Sequence, residues 1–325
     1  MSHAPAPSPS PSPGALRLEF LDACRALAVL GMLFANMMNV FLRHVPSVLS
    51  HNAGDRLRAL DFPAAIFQFL IGVSLVLFLE KRAARGLTRP GLQLTALRRF
   101  ALLIALGIVL DCVGTLRSRP QWGVLQTLGL GGAVATFLAD LPDASVAAVA
   151  LVLLVVFSGP GNGVVHRNPG AALAFVPLTL AGLLVGRGLR AGRSRRGFVQ
   201  RAATVAAASL VLAAAARGAG VPFNKILGTS SFVALAIAVS TVLLLATATL
   251  EQAGIQFPSC LLAVGSNALM AWVLQYVLVY YPAWLVFPSW RQLALVPGMV
   301  ITLAALAILS GLTVVLGRRG VRIPI

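Results

Sequence analysis

Charge is what this sequence has least of. Charged residues make up 11% of its 325 positions, where a soluble domain carries about 25%. Only nine residues are acidic and four are histidine. Lysine is nearly absent, with Lys81 and Lys225 standing alone, so arginine supplies the basic charge. With 58% hydrophobic residues, a water-soluble fold of this length has no interior large enough to hide the apolar surface. The solvent for most of the chain must be lipid. The three cysteines, Cys24, Cys112 and Cys260, lie in or beside apolar runs without metal spacing, which excludes a disulfide framework. No P-loop, HExxH, GxSxG or dinucleotide glycine pattern is present.

The net charge of +17 invites a nucleic-acid reading. The basic residues sit instead in short loops between apolar runs, with no basic helix or aromatic-interleaved stripe, so nucleic acid is excluded as a partner. An Arg-, Ala-, Gly- and Pro-rich chain of this kind fits a GC-rich bacterial source, hence the cytoplasmic (inner) membrane of a bacterium.

Residues 1–15, MSHAPAPSPSPSPGA, form a Pro/Ser tail that cannot bury a core and is expected to be disordered. The tail lacks the basic start and apolar stretch of a signal peptide, so the first apolar run is expected to remain as a membrane helix. Residues 16–325 are expected to form one transmembrane domain. Its apolar runs are 20–42, 62–80, 97–116, 122–141, 143–158, 170–187, 199–217, 230–250, 258–281 and 293–316. Hydrocarbon about 30 Å thick takes about 20 helical residues to cross, and runs this apolar can satisfy their backbone there only as helices. The expected fold is therefore an all-α polytopic bundle of about ten helices. The short run 143–158 either crosses with little margin or joins its neighbour through Leu141-Pro142-Asp143.

Orientation follows from arginine. One basic loop holds Lys81, Arg82, Arg85, Arg89, Arg98 and Arg99, and another holds Arg187, Arg190, Arg193, Arg195, Arg196 and Arg201. The C-terminus carries Arg318, Arg319 and Arg322. Ten crossings put all three on the side of the N-terminus, which the positive-inside rule makes cytoplasmic. Residues 43–61, with His44, His51, Asp55 and Asp61, then face outward, as do 159–169 with Asn162 and His166, and 218–229 with Asn224 and Lys225.

Charges within membrane helices cost about 2.5–3.5 kcal/mol on insertion scales, so each one is informative. Asp22 and Arg25 share one face of the first helix and can pair, either to fix its depth or as part of a cytoplasmic anion pocket. Asn36 and Asn39 lie further along it and suit interhelical hydrogen bonds. Asp61 opens the second helix, where a carboxylate complements the dipole. Asp111 is expected at the outer end of the third. His51 precedes a helix start with carboxylates nearby, while His44 and His166 rank below it. Gly129, Gly131 and Gly132 suit close helix packing rather than phosphate binding.

Several segments together resemble the heparan-α-glucosaminide N-acetyltransferase family and related bacterial membrane acyltransferases. LDACRALAVLGMLFANMMNVF is similar to the family's opening LDxxRG…N helix. HNAGDRLRALDFPAAIFQFLIGVSLVLFLEKR resembles its His…ADLVFPFFLFIVGVSLALS stretch, with His51 ten positions before Asp61. WGVLQTLGL resembles GVLQRIAL, FNKILGTSSF resembles NKxLWTxSFV, and VGSNALMAWVL resembles GxNSLxxY. The segments fall in family order across residues 18–281. Four positions depart from the pattern: Ala26 for Gly, Thr127 for Arg, Gly228 for Trp, and Gln275 where many relatives carry His.

The resemblance implies acetyl transfer across the membrane, from cytoplasmic acetyl-CoA to an amine or hydroxyl of a glycan or amino sugar on the outer face, with no metal. His51, Asp61 and Asn36 are then the catalytic candidates, with Asp61 or Asp55 expected to orient the His51 ring and Asp61 favoured by the spacing the resemblance gives it. Asp22, Arg25, Gln126, Asn224, Lys225 and Asn267 are the candidates for binding the donor. A homodimer is compatible with this reading. The residues alone leave open a secondary transporter or lipid-linked carrier, and an acyltransferase-like scaffold without activity. The topology is directly testable: a reporter fused after Arg193 should read cytoplasmic and one inserted at Asn52 should read outside, whereas both on one side would break the even helix count.

Overall fold

A backbone in hydrocarbon must satisfy its own hydrogen bonds, and the described residues do so mainly by helix formation. The structure, a computed structural model, describes residues 18–51, 54–115, 122–157, 163–190 and 194–323. The expected Pro/Ser tail, and Asn52, Asn162 and Arg193, lie outside the described residues.

The described residues form eleven α-helices and no strand. They are α1 (Glu19–Phe41), α2 (Phe62–Ala83), α3 (Arg89–Thr115), α4 (Val124–Leu138), α5 (Asp143–Val156), α6 (Val176–Gly186), α7 (Arg195–Gly218), α8 (Ser230–Gln252), α9 (Ser259–Ser266), α10 (Ala268–Gln275) and α11 (Leu295–Arg318). Seven segments are long and apolar enough to cross a membrane, while α4 and α5 are shorter apolar helices. The chain is an all-α polytopic membrane protein. Burial sorts the helices: the span containing α6 is 83% buried and that of α11 only 22%. Val300, Leu303 and Ile308 of α11 are exposed, as lipid-facing side chains are.

The run 143–158 is a helix of its own, α5, set off from α4 by the turn at Leu141 and Pro142. Arg187 secures that turn. Its guanidinium donates to the carbonyls of Ala139 (3.0 Å) and Leu141 (2.8 Å) and pairs with Asp143, which also meets Arg201 at 2.5 Å. The run 258–281, expected as one helix, is broken. Asn267 interrupts it at φ −128°, ψ 34°, separating α9 from α10, and π-helical turns carry α10 on to Val286.

Glycines set the helix spacing around the break. A Cβ at Gly265 would lie 1.8 Å from the Asp22 carbonyl oxygen, so α9 rests directly on the α1 backbone. At Gly131 it would meet the Gln68 amide at 2.0 Å, and at Gly132 the Phe100 ring at 2.2 Å, as close packing of α4 requires. α1 is the hub, packing against α2, α8, α9, α10 and α11. Overpacking typically costs about 1–3 kcal/mol. Gly265→Ala should therefore lower the melting temperature in detergent by several degrees. Gly311→Ala, with nothing within 4 Å of the new methyl, should leave it unchanged or slightly raised.

Candidate functional site

A helix repeats its facing side chains at three- and four-residue steps. On α1 those steps link Arg25, Val29, Met32, Asn36 and Asn39 along one face. Arg25, Val29 and Met32 line a cavity of about 280 Å³ enclosed by α1, α2, α3, α4, the α9–α10 break and the C-terminal segment. The far end of the face meets His51.

At the Arg25 end, the guanidinium pairs with Asp22 at 2.9 Å and donates to Ser74 Oγ at 2.6 Å. Arg99 and Arg322 stand around the same cavity, as does Asn267 at the helix break. Arg99 also lies over the Phe78 ring, 4.3 Å from its centroid. Further in, the walls are apolar and include Phe67, Leu70, Leu128 and Trp272. The cavity thus has a basic mouth and an apolar shaft.

Between the ends, Asn36 Nδ2 donates to Gln275 Oε1 at 3.5 Å, and Gln275 Nε2 donates to the Leu33 carbonyl at 3.4 Å. At the far end, Arg43 N–H donates to the Leu293 carbonyl and Leu293 N–H to that of Phe41, which pins the end of α1. A turn closed by Leu49 N–H and Ser50 Oγ then brings His51 back over Asn39. Asn39 Nδ2 sits 3.0 Å from His51 Nδ1 and 3.1 Å from Nε2. An amide nitrogen can only donate, so the bond requires an unprotonated ring nitrogen. Partial burial, and secondarily the charge of Lys225, push the His51 pKa down to about 4.

The expectation that Asp61 or Asp55 orients the His51 ring meets a different geometry: that place belongs to Asn39. Asp61 is buried, accepts from the Arg58 N–H at 2.9 Å and acts electrostatically on Lys225. Asp55 accepts from Asn224 Nδ2 at 2.7 Å. Lys225 is buried, which pushes its pKa down to about 8 against the opposing pull of Asp61. His166 belongs to the same neighbourhood. Its Nδ1 is 3.2 Å from Thr127 Oγ1, its Nε2 is buried without a partner among the described residues, and burial with Lys225 pushes its pKa down to about 3. His44 is exposed on the loop.

The donor-binding candidates therefore divide. Asp22, Arg25 and Asn267 gather at the basic cavity. Gln126, Asn224 and Lys225 do not line it. Gln126 donates to Asp111 Oδ2 at 2.9 Å, which also accepts from the Tyr276 hydroxyl through Oδ1 at 2.7 Å. Asn224 and Lys225 stand on a loop that Thr229 closes by donating to the Pro222 carbonyl at 2.7 Å. That loop also explains one departure: Gly228 has φ +63°, and a Cβ there would lie 2.7 Å from Val165. Thr127 stands beside His166, so its hydroxyl serves the His51 end and not the basic cavity. Ser74, Arg99, Arg322 and the Asn39–His51 contact are added by the structure. Arg99 and Arg322 read in sequence as orientation signals, although the three- and four-residue steps from Arg25 to Asn39 were visible there.

Residues 17–161 match the family model described as heparan-alpha-glucosaminide N-acetyltransferase, catalytic. Over that stretch, somewhat under half of its length, the chain is similar to that family. No curated protein matches the chain. The matched stretch contains α1 to α5, and so holds Arg25, Ser74, Arg99, Asn36, Asn39, His51 and Asp61. It points to membrane acetyltransferase chemistry. Among the described residues no group of three His, Cys, Asp or Glu could hold a metal ion.

The histidine electrostatics are testable. His51 has a pKa below its ordinary 6.5, so its contribution to stability is complete above pH 6.5 and is lost as the pH falls through 4. Removing the neighbouring positive charge by Lys225→Met should raise the His51 pKa toward 6.5, read by NMR of ring-labelled histidine. No movement would separate the two residues electrostatically.

Proposed function

We propose that this protein transfers an acetyl group from acetyl-CoA, bound at the Arg25 end, to an amine or hydroxyl of a sugar or cell-envelope glycan reached from the His51 end. One observation carries the reading: within a stretch that matches an acetyltransferase family, a single face of α1 joins a basic-mouthed cavity to a neutral histidine. The positive-inside rule assigns the Arg25 end to the cytoplasm, where acetyl-CoA is found.

The cavity suits such a donor in shape and charge. Arg25, Arg99 and Arg322 can meet its phosphates through charge-assisted hydrogen bonds, and the apolar shaft can take the extended pantetheine arm. Met32 and Asn39 are seven residues apart, about 10 Å along the helix, so an arm that fills the shaft brings its thioester toward Asn36 and His51.

The chemistry needs a base on the acceptor's side. An ammonium must first lose a proton to solvent, and the resulting amine, like a hydroxyl, must lose one as it attacks. His51, kept unprotonated by burial and Lys225, takes that proton on the ring nitrogen to which Asn39 otherwise donates. The nucleophile adds to the thioester carbonyl carbon. The carbonyl oxygen gains negative charge and accepts from Asn36 Nδ2. The tetrahedral intermediate then collapses, the C–S bond breaks, and the thiolate leaves with a proton returned from His51. Asp61 serves one step removed, through its electrostatic hold on Lys225.

His51→Ala should lower transfer at least about a hundredfold, as loss of a general base does, while acetyl-CoA affinity by calorimetry stays within about threefold. Arg25→Ala should weaken that affinity about tenfold, as loss of a charge-assisted contact does. His44→Ala should retain most activity. Normal turnover in a folded His51→Ala protein would sink the mechanism, and unchanged affinity in Arg25→Ala would remove Arg25 from the donor site.

A further inference from the structure

Building on the acyl-transfer reading, we infer that Gln275 is a positioning residue that decides which way the Asn36 amide faces. The Leu33 carbonyl can only accept, so the Gln275 amide turns Nε2 toward it, at 3.4 Å. That leaves Oε1 on the other side, toward Asn36. An oxygen there can only accept, so Asn36 presents Nδ2 to it, at 3.5 Å. Either amide by itself could turn over and exchange oxygen for nitrogen. One backbone carbonyl sets both.

The surroundings favour this single arrangement. Gln275 is fully buried at 0% exposure, so water does not compete for either end of its amide. It sits on α10 one turn from Trp272, which lines the donor cavity, while Asn36 stands one turn beyond Met32, which lines it too. The pair thus stands one turn beyond the cavity lining, on the side toward His51. Asn36 has two amide hydrogens, and Gln275 uses one. The second remains for an acyl oxygen arriving at the end of the shaft. A reversed Asn36 would offer that oxygen a carbonyl, which repels developing negative charge instead of stabilising it. Gln275 therefore acts through Asn36 and touches no reacting atom.

The test is a mutant cycle on the full-length protein, with turnover and acetyl-CoA binding measured separately. Gln275→Met keeps the side chain's length and removes both hydrogen bonds. Turnover should fall about tenfold or more, with acetyl-CoA affinity within about threefold of wild type. Asn36→Ala combined with Gln275→Met should be no slower than Asn36→Ala alone, because the glutamine has nothing left to position. Gln275→Glu supplies the second variant. Its neutral carboxylic acid keeps one donor for Leu33 and one acceptor for Asn36, so it should retain most activity. Wild-type turnover in Gln275→Met, or additive losses in the double variant, would overturn the inference. So would a Gln275→Glu protein as slow as Gln275→Met. A wild-type protein that binds no acetyl-CoA would fail at the earlier step and overturn the acyl-transfer reading itself.

Discussion

A polar side chain on a helix in hydrocarbon has no water to face, so it must turn toward other helices. That constraint fixes the rotation of α1. Arg25, Asn36 and Asn39 share one face of it, and each finds partners within the protein: Asp22 and Ser74, Gln275, and His51. The helices packed around α1 cover the face where Val29 and Met32 stand, while Asn39 at its far end is exposed. A basic mouth, an apolar shaft, a polar pair and a histidine follow one another because they stand at successive turns of one stripe of α1.

The scaffold holds that stripe by contacts far from it. Gly265 lets α9 lie on the α1 backbone, and the break at Asn267 turns α10 so that Trp272 and Gln275 face α1. Asp143, Arg187 and Arg201 tie α5, the end of α6 and α7 together, with Arg187 also satisfying carbonyls at the end of α4. At the His51 end, the Val165 N–H donates to the Ile226 carbonyl, joining the loop of His166 to that of Lys225. Two histidines and a lysine then share a poorly hydrated site, and each pKa falls. Burial dominates every one of these shifts, and charge repulsion adds to those of the histidines.

The helical class was legible because long apolar runs leave the backbone no alternative. The Asp22–Arg25 pair was legible because it is local, three residues apart on one helix. The partner of His51 was harder to see. The family resemblance favoured Asp61, but the loop doubles back and places the ring over Asn39, a contact between separate elements. The break at Asn267 was also hidden, because an apolar run keeps its hydropathy through one non-helical residue. Gln126, Asn224 and Lys225 share the family's motifs with Asn267, yet they stand apart from the basic cavity. A motif shows that residues belong together in a family without showing which end of a helix bundle they occupy.

The central claim is that donor and acceptor approach from opposite ends of α1, and sealed proteoliposomes of uniform protein orientation test it most directly. Acetyl-CoA is placed on one side of the membrane and a membrane-impermeant amino sugar on the other. The account predicts acetylated sugar when the donor is on the side of Arg25 and Arg322 and the sugar on the side of His51, and none when the two are exchanged. Product formed only when both are on the same side would contradict it.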